Sequence, residues 1–372
     1  MRVPLVDLAA QEAMVLEEVL GAIAATARAA TFVLGQRVQE LEGWLAATCG
    51  AEHAIGVASG TDALELSLRA LEVGAGDAVV TPAFSFVAAA EAIAMTGARP
   101  VFCDIDDRTL NASEDTVEEA IARAKRARLR IKAIVPVHLF GLCAPVAAFA
   151  AIAKRECLAI VEDAAQSLGA RDGQGRAAGS MGDAGCFSFF PTKSLGGWGD
   201  GGAVVTSRGD MAGRLRRLRA HGASAPYVHE ELGRNSRLDA LQAAVLLAKS
   251  RHLPAWQAAR ARLAARYLDE LAPFPIVLPR APVPPAVHAW NAFVVRTPRR
   301  DQLATRLRDA GIETRVYYPL PLHEQPCFAA LEEPALPVAE EACRTALALP
   351  MHAAMSAEQQ SHVIASIAHF FG

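Results

Sequence analysis

Lysine is the scarce residue in this chain. Of 37 basic side chains only five are lysines, at positions 125, 132, 154, 193 and 249. Lys125 and Lys132 fall in an arginine-rich polar run, and Lys154 and Lys249 sit in helical patterns with a solvated face to carry them. Lys193 has no such place. Cys186–Phe190 before it reads as a short buried strand, Pro191 ends that strand, a glycine-rich loop follows, and Ala203–Thr206 begins a second strand. An amine held there is either a side chain snorkelling at a strand end or a desolvated nucleophile suited to Schiff-base chemistry, and the stretch alone is even-handed between them.

Other absences narrow the function. The seven cysteines (49, 103, 143, 157, 186, 327 and 343) are odd in number, scattered, and form no C-x-x-C. They argue against a disulfide framework and a zinc site, no metal is expected, and they suit a reducing cytoplasm. A formal net charge of -3 gives no electrostatic case for nucleic acid or an anionic membrane as partner. The longest apolar run, Ile134–Ala153, is broken by Pro136, His138, Gly141 and Pro145, so it reads as strand, turn and helix rather than a membrane span. The first residues reach Asp7 too soon for a signal peptide. There is no G-x-x-x-x-G-K-[ST] loop. Gly197–Gly202 does spell G-x-G-x-x-G, but a strand pattern follows it where a dinucleotide fold needs a helix N-terminus.

What is present is an alternation of strands and helices. With 372 residues, 52% hydrophobic and 21% charged, the chain has material for one large and one smaller soluble unit. Strand patterns at 54–58, 78–81, 100–105, 131–137 and 158–161, alternating with helical patterns, predict an α/β fold: a mostly parallel sheet sandwiched by helices. The large domain is expected over 1–250 and a small C-terminal α+β domain over 251–372. A long helix is expected from Leu238, kinked at Pro254, then a proline-rich stretch over 273–285. Strand 290–296, helix 301–310 and strand 313–318 should follow.

Ligands of open α/β sheets gather beyond the carboxyl ends of the strands, where Ser59, Phe86, His138 and Asp163 all fall. Ser59-Gly60-Thr61-Asp62 opens a helix and would present free N–H groups to phosphate, although the same residues make an ordinary helix cap. An amine, a phosphate cradle, a buried acid and an aromatic plate together fit pyridoxal phosphate. Asp163 would pair with the pyridinium nitrogen. A carboxylate about 4 Å away is worth roughly 4 kcal/mol at an effective dielectric near 20, about three pK units, enough to keep that nitrogen protonated.

Five motifs in register then resemble a known family. They are Ser59–Leu64, Glu162–Gln166, Phe187–Lys193, Gly199–Gly202 and Asn235–Arg237. The chain is similar to the DegT-type nucleotide-sugar aminotransferases of the aspartate-aminotransferase fold, from Val6 to His323. The resemblance implies that Lys193 forms the Schiff base with pyridoxal 5'-phosphate and shuttles the proton, passing through pyridoxamine phosphate. It implies that Asp163 holds the ring nitrogen, Gln166 approaches the ring near its phenolic oxygen and Phe86 stacks on it. Gly60, Thr61 and Ser188 would bind the phosphate, joined by Asn235 of a second subunit in a homodimer with composite sites. It implies amino transfer from L-glutamate to a nucleotide-linked hexose or hexuronate, at C3, as in polysaccharide biosynthesis. The alternatives are C4 of a 4-keto-6-deoxy sugar or a non-catalytic cofactor-binding regulator. His138, Arg237, Tyr318 and His323 are either substrate or interface residues or satisfied turn residues. Phe86, Phe187 and Phe189 are expected to wall the lysine's pocket and lower its pKa.

Overall fold

The computed structural model describes residues 1–372. Seven strands form the central sheet: β1 (His53–Val57), β2 (Asp77–Pro82), β3 (Arg99–Cys103), β4 (Arg130–Ile134), β5 (Ala159–Asp163), β6 (Ala184–Ser188) and β7 (Gly202–Thr206), in the order β1-β7-β6-β5-β4-β2-β3. Six run parallel, and β7 alone runs against both neighbours. The strands are short apolar runs because helices cover both faces, so neither side can be polar. Successive residues serve opposite layers. Val79, Cys186 and Val204 join one core with Leu64, Ile93 and Leu215, whereas Val80 packs with Ile121 and Phe149, and Phe187 and Val205 with Leu41 and Leu246.

A second core gathers Leu263, Tyr267, Phe293, Leu303, Leu347 and Val363, and the N-terminal Val3 joins it. Before it, a small hairpin, β8 (Ala223–Ala225) with β9 (Val228–His229), projects apolar side chains into solvent. The C-terminal part is built on β10 (Phe293–Arg296) paired antiparallel with β11 (Ala346–Leu349). No helix is long and apolar enough to cross a membrane.

Two local expectations are corrected. Pro254 does not kink one long helix; Ala240–Ser250 ends, and a separate helix, Leu253–Glu270, starts with the proline in its first turn. A missing N–H costs nothing there, because first-turn donors have no intrahelical acceptor. Residues 313–318 are not a strand. They make one isolated antiparallel bridge, Arg315 to Ala348 on the edge of β11 that β10 leaves free, and the pairing extends no further. β11 itself lies in an alanine-rich stretch that reads as helix.

The position of β6 depends on backbone contact. A Cβ on Gly185 would lie 2.1 Å from the Gly179 carbonyl oxygen and 2.2 Å from the Gly179 Cα. No rotamer relieves such a clash. Gly185→Ala is therefore expected to lower stability by about 3 kcal/mol, at the upper end of overpacking costs. A denaturant midpoint unchanged from wild type would show that the loop at 179 is free to move.

Candidate active site

The carboxyl edge of the sheet opens into a cavity of about 490 Å³, a size that suits a cofactor with part of a substrate. Gly60, Thr61, Phe86, Asp163, Gln166, Ser188 and Lys193 all line it. Asn235 does not. It is exposed, bridged to Ala220, next to Ser236, whose hydroxyl donates to Asp62 at 2.6 Å.

The helix Gly60–Ala70 points its N-terminus at this space. Ser59 caps it: its hydroxyl accepts from Asp62 N–H at 3.0 Å and its carbonyl from Ala63 N–H at 3.0 Å. The N–H groups of Gly60 and Thr61 are left without protein partners, so cap and anion cradle coexist rather than compete. Ser188 lies against them, since a Cβ on Gly60 would sit 3.3 Å from its hydroxyl oxygen.

Asp163 ends β5, buried, where β4's continuation ties it down: Asp163 N–H donates to Pro136 at 2.8 Å and His138 N–H to the Asp163 carbonyl at 3.0 Å. Burial raises its carboxyl above the usual range, while the N–H of Ala165 and the nearby Lys193 and His138 pull it back. Lys193 follows a turn in which its N–H donates to Phe190 at 2.9 Å. Burial lowers its ammonium pKa, and Asp163 works against that shift. The two groups thus face each other across a site that penalises either charge alone.

Gln166 is fixed at both ends. Its Oε1 accepts from Phe140 N–H at 2.7 Å and its Nε2 donates to the Tyr318 hydroxyl at 3.1 Å. Tyr318 lines the cavity, with its ring 6.4 Å from the half-exposed Phe86. Burial pushes the Tyr318 phenol well above its ordinary value. The walls differ from expectation, because Phe187 and Phe189 are wholly buried in the core behind the sheet and the lining phenylalanines are Phe86, Phe140 and Phe190. Period-two alternation turns Phe187 away from Ser188, and Phe189 continues the buried layer.

Of the four residues left open, His138, His323 and Arg237 stand off the cavity. His138 is fully buried; its Nδ1 accepts from Ala144 N–H at 2.9 Å, so the ring proton sits on Nε2, 2.8 Å from Glu162. It is a satisfied structural histidine. His323 Nε2 lies 3.4 Å from the Glu340 carboxylate. Local patterns gave no sign of Asn291, Arg315, Tyr317 and Met351, which the C-terminal part contributes to the lining.

Free helix N–H groups, a buried acid and a desolvated amine meeting in one cavity form a donor set that fits pyridoxal phosphate. The sequence pattern of the DegT/DnrJ/EryC1/StrS aminotransferase family matches residues 14–368. The chain belongs to that family. It is a pyridoxal-phosphate-dependent aminotransferase. The family resemblance is dense over the whole length. A UDP-N-acetyl-3-dehydro-α-D-glucosamine 3-aminotransferase of Acidithiobacillus ferrooxidans is 43% identical, covering 97% of this chain and 96% of its own. A protein of Geobacillus stearothermophilus named as a pleiotropic regulatory protein is 44% identical, covering 100% and 99%. Among solved structures, DesV of Streptomyces venezuelae, captured with a ketimine intermediate, superposes with a TM-score of 0.94 at 41% identity, covering 99% of this chain and 98% of its own. The family's fold is the sheet and helix sandwich described above.

Glu162, next to Asp163, holds the surroundings of the site in place. Besides His138, it accepts from the N–H groups of Gly179, Met181 and Gly182 at 2.9, 2.6 and 2.6 Å, with no exposure at all. Glu162→Ala would leave four donors unpaired, those of His138 and Gly179 buried and those of Met181 and Gly182 partly so, and is expected to cost about 3–5 kcal/mol. Denaturant unfolding checks this; a loss under about 1 kcal/mol would mean that water replaces the carboxylate at no cost.

Proposed function

We propose that the chain transfers the amino group of L-glutamate to the C3 keto group of a nucleotide-linked hexose or hexuronate. The observation that carries the reading is the meeting of Lys193 and Asp163 in one cavity beside a helix N-terminus with two free N–H groups. The similarity to a 3-aminotransferase supports the acceptor and the carbon. The intact amine, acid and anion cradle support catalysis over regulation, whatever the name of the Geobacillus relative.

Bound pyridoxal phosphate supplies the electron sink and carries the amino group between the two half-reactions. The Gly60 and Thr61 N–H groups and the Ser188 hydroxyl hold its phosphate by dipoles, with no arginine required. Asp163 would keep the proton on the ring nitrogen, Gln166 would serve the side of the phenolic oxygen, and Phe86 would cover the ring. Lys193 Nζ would hold the cofactor covalently and, when free, would act as the base that moves a proton at the substrate carbon. Its lowered pKa suits that work, because an ordinary lysine near 10.4 is almost wholly protonated at neutral pH.

Asn235 reaches the phosphate of a second copy in this reading, so the enzyme is a homodimer with composite sites. Its place outside its own chain's cavity supports this, as do Tyr227 and Leu232, 97% and 87% exposed on the segment leading to it. A cytoplasmic location accords with seven free cysteines.

The deciding experiment loads the holoenzyme with glutamate, removes the excess, and offers 3-keto and 4-keto nucleotide sugars. Glutamate should discharge the yellow form, and a 3-keto sugar should restore it. Borohydride treatment of a separate sample, one not exposed to glutamate, should fix the cofactor to Lys193 on peptide mapping. A label on another lysine overturns the role of Lys193, and recovery with 4-keto sugars alone overturns the regiochemistry.

Subunit mixing tests the composite site. Asn235→Ala and Lys193→Ala proteins, each weak by itself, should regain about a quarter of full activity when mixed, since half the dimers are mixed and each holds one intact site. Heterodimers that form and remain inactive would show that each chain builds its site alone.

A further inference from the structure

Four lysine and arginine side chains are buried: Arg219, Lys249, Arg260 and Arg296. Three of them meet a carboxylate, Arg219 that of Glu42, Lys249 that of Glu12 and Arg296 that of Asp107. Arg260 meets none. It is 3% exposed, its one hydrogen bond runs from Nη1 to the Ser194 hydroxyl at 3.4 Å, and its Nε has no partner. Burial lowers its pKa to about 10, so the guanidinium still carries its charge at neutral pH. A bare buried charge is costly, and an acid of the same chain normally offsets it.

The helix Leu253–Glu270 that carries Arg260 props the loops of the cavity from behind. Gln257 Nε2 donates to the Leu168 carbonyl at 2.8 Å, just past Gln166, and the Tyr267 hydroxyl donates to the Pro350 carbonyl at 3.1 Å, beside Met351. Arg260, about one turn beyond Gln257, reaches the residue that follows Lys193. Lys193 and Met351 line the cavity, whereas their chain neighbours Ser194 and His352 are buried. Neither titratable group on that side neutralises the arginine. His352 has no partner on either ring nitrogen, and burial takes its pKa down to about 4, with Asp7 opposing the fall and Arg260 adding to it. The Asp7 carboxylate caps its own helix, accepting from Ala10 N–H at 2.9 Å. On the lysine's side stand Asp163 and His138, with Asp200 and Arg315 elsewhere in the lining.

We propose that Arg260 is a positioning residue for Lys193: through Ser194 it holds a positive charge behind the amine and so disfavours a second positive charge on the lysine nitrogen. This rests on the transamination proposed above, in which that nitrogen must give up its proton to act as a base. Two like charges on the order of 10 Å apart, at an effective dielectric near 20, shift a titration by about one pH unit. Arg260 and the nearby Asp163 then act in opposite directions on the same amine.

The test follows the absorbance of holoenzyme against pH, with urea unfolding as the check on folding. Cofactor held through Lys193 is yellow while the shared nitrogen keeps its proton, so loss of colour as pH rises reads that nitrogen directly. Arg260→Met keeps most of the volume without the charge, and Arg260→Lys keeps the charge without the fork. Arg260→Met should move the midpoint up by about one pH unit, and Arg260→Lys should leave it near the wild-type value. Arg260→Gln is the second neutral variant if the methionine protein does not fold. An unchanged midpoint in a folded neutral variant overturns the inference and leaves the transamination intact. Equal shifts in the neutral and lysine variants overturn it too, because the shape of the fork and not its charge would then matter. A wild type whose cofactor is not attached at Lys193 overturns the proposed function instead.

Discussion

At the carboxyl edge of the sheet, backbone must approach backbone, and the rest of the site depends on that contact. A Cβ on Gly202 would lie 2.3 Å from the Ser59 carbonyl oxygen, and one on Gly60 would lie 2.7 Å from the Ser188 Cβ. With no side chain between them, the start of helix Gly60–Ala70 rests directly on β6 and β7. The free N–H groups of that helix therefore sit beside the strand that leads to Lys193. An anion cradle and an amine more than a hundred residues apart become one site because two glycines let the elements touch.

The electrostatics follow from the same closeness. Burial disfavours both the Lys193 ammonium and the Asp163 carboxylate, and their mutual attraction opposes both shifts. Glu162 and His138 lie beyond it and are already satisfied, so they hold Asp163's strand end and the loop at 179–182 without competing for ligand. One carboxylate of the Glu162-Asp163 pair is structural and its neighbour faces the cavity, as alternation along a strand requires.

Much of this was legible in the amino-acid sequence. Strand and helix alternation predicted the parallel sandwich, and a lysine without a surface explanation drew attention to 186–202. Seven of the eight expected site residues line one cavity, because strand ends and helix starts are local signals and the α/β fold brings them to one edge. The misses are those where local pattern carries no information about packing. Pro254 is compatible with a kink or a start, and only the break after Ser250 distinguishes them. Residues 313–318 have strand composition, yet only Arg315 pairs, with Ala348 at the edge of β11.

Local chemistry in the sequence thus determined the fold class, the amine, the acid and the cradle, because each depends on residue type and short spacing. Tertiary structure alone decided what faces what. It turned Phe187 and Phe189 into the core, withdrew His138 into a buried pair with Glu162, and left Asn235 outside its own chain's cavity. It also brought Arg315 from the C-terminal part to the lining. No spacing rule could show that, since it depends on how the C-terminal part packs against the sheet.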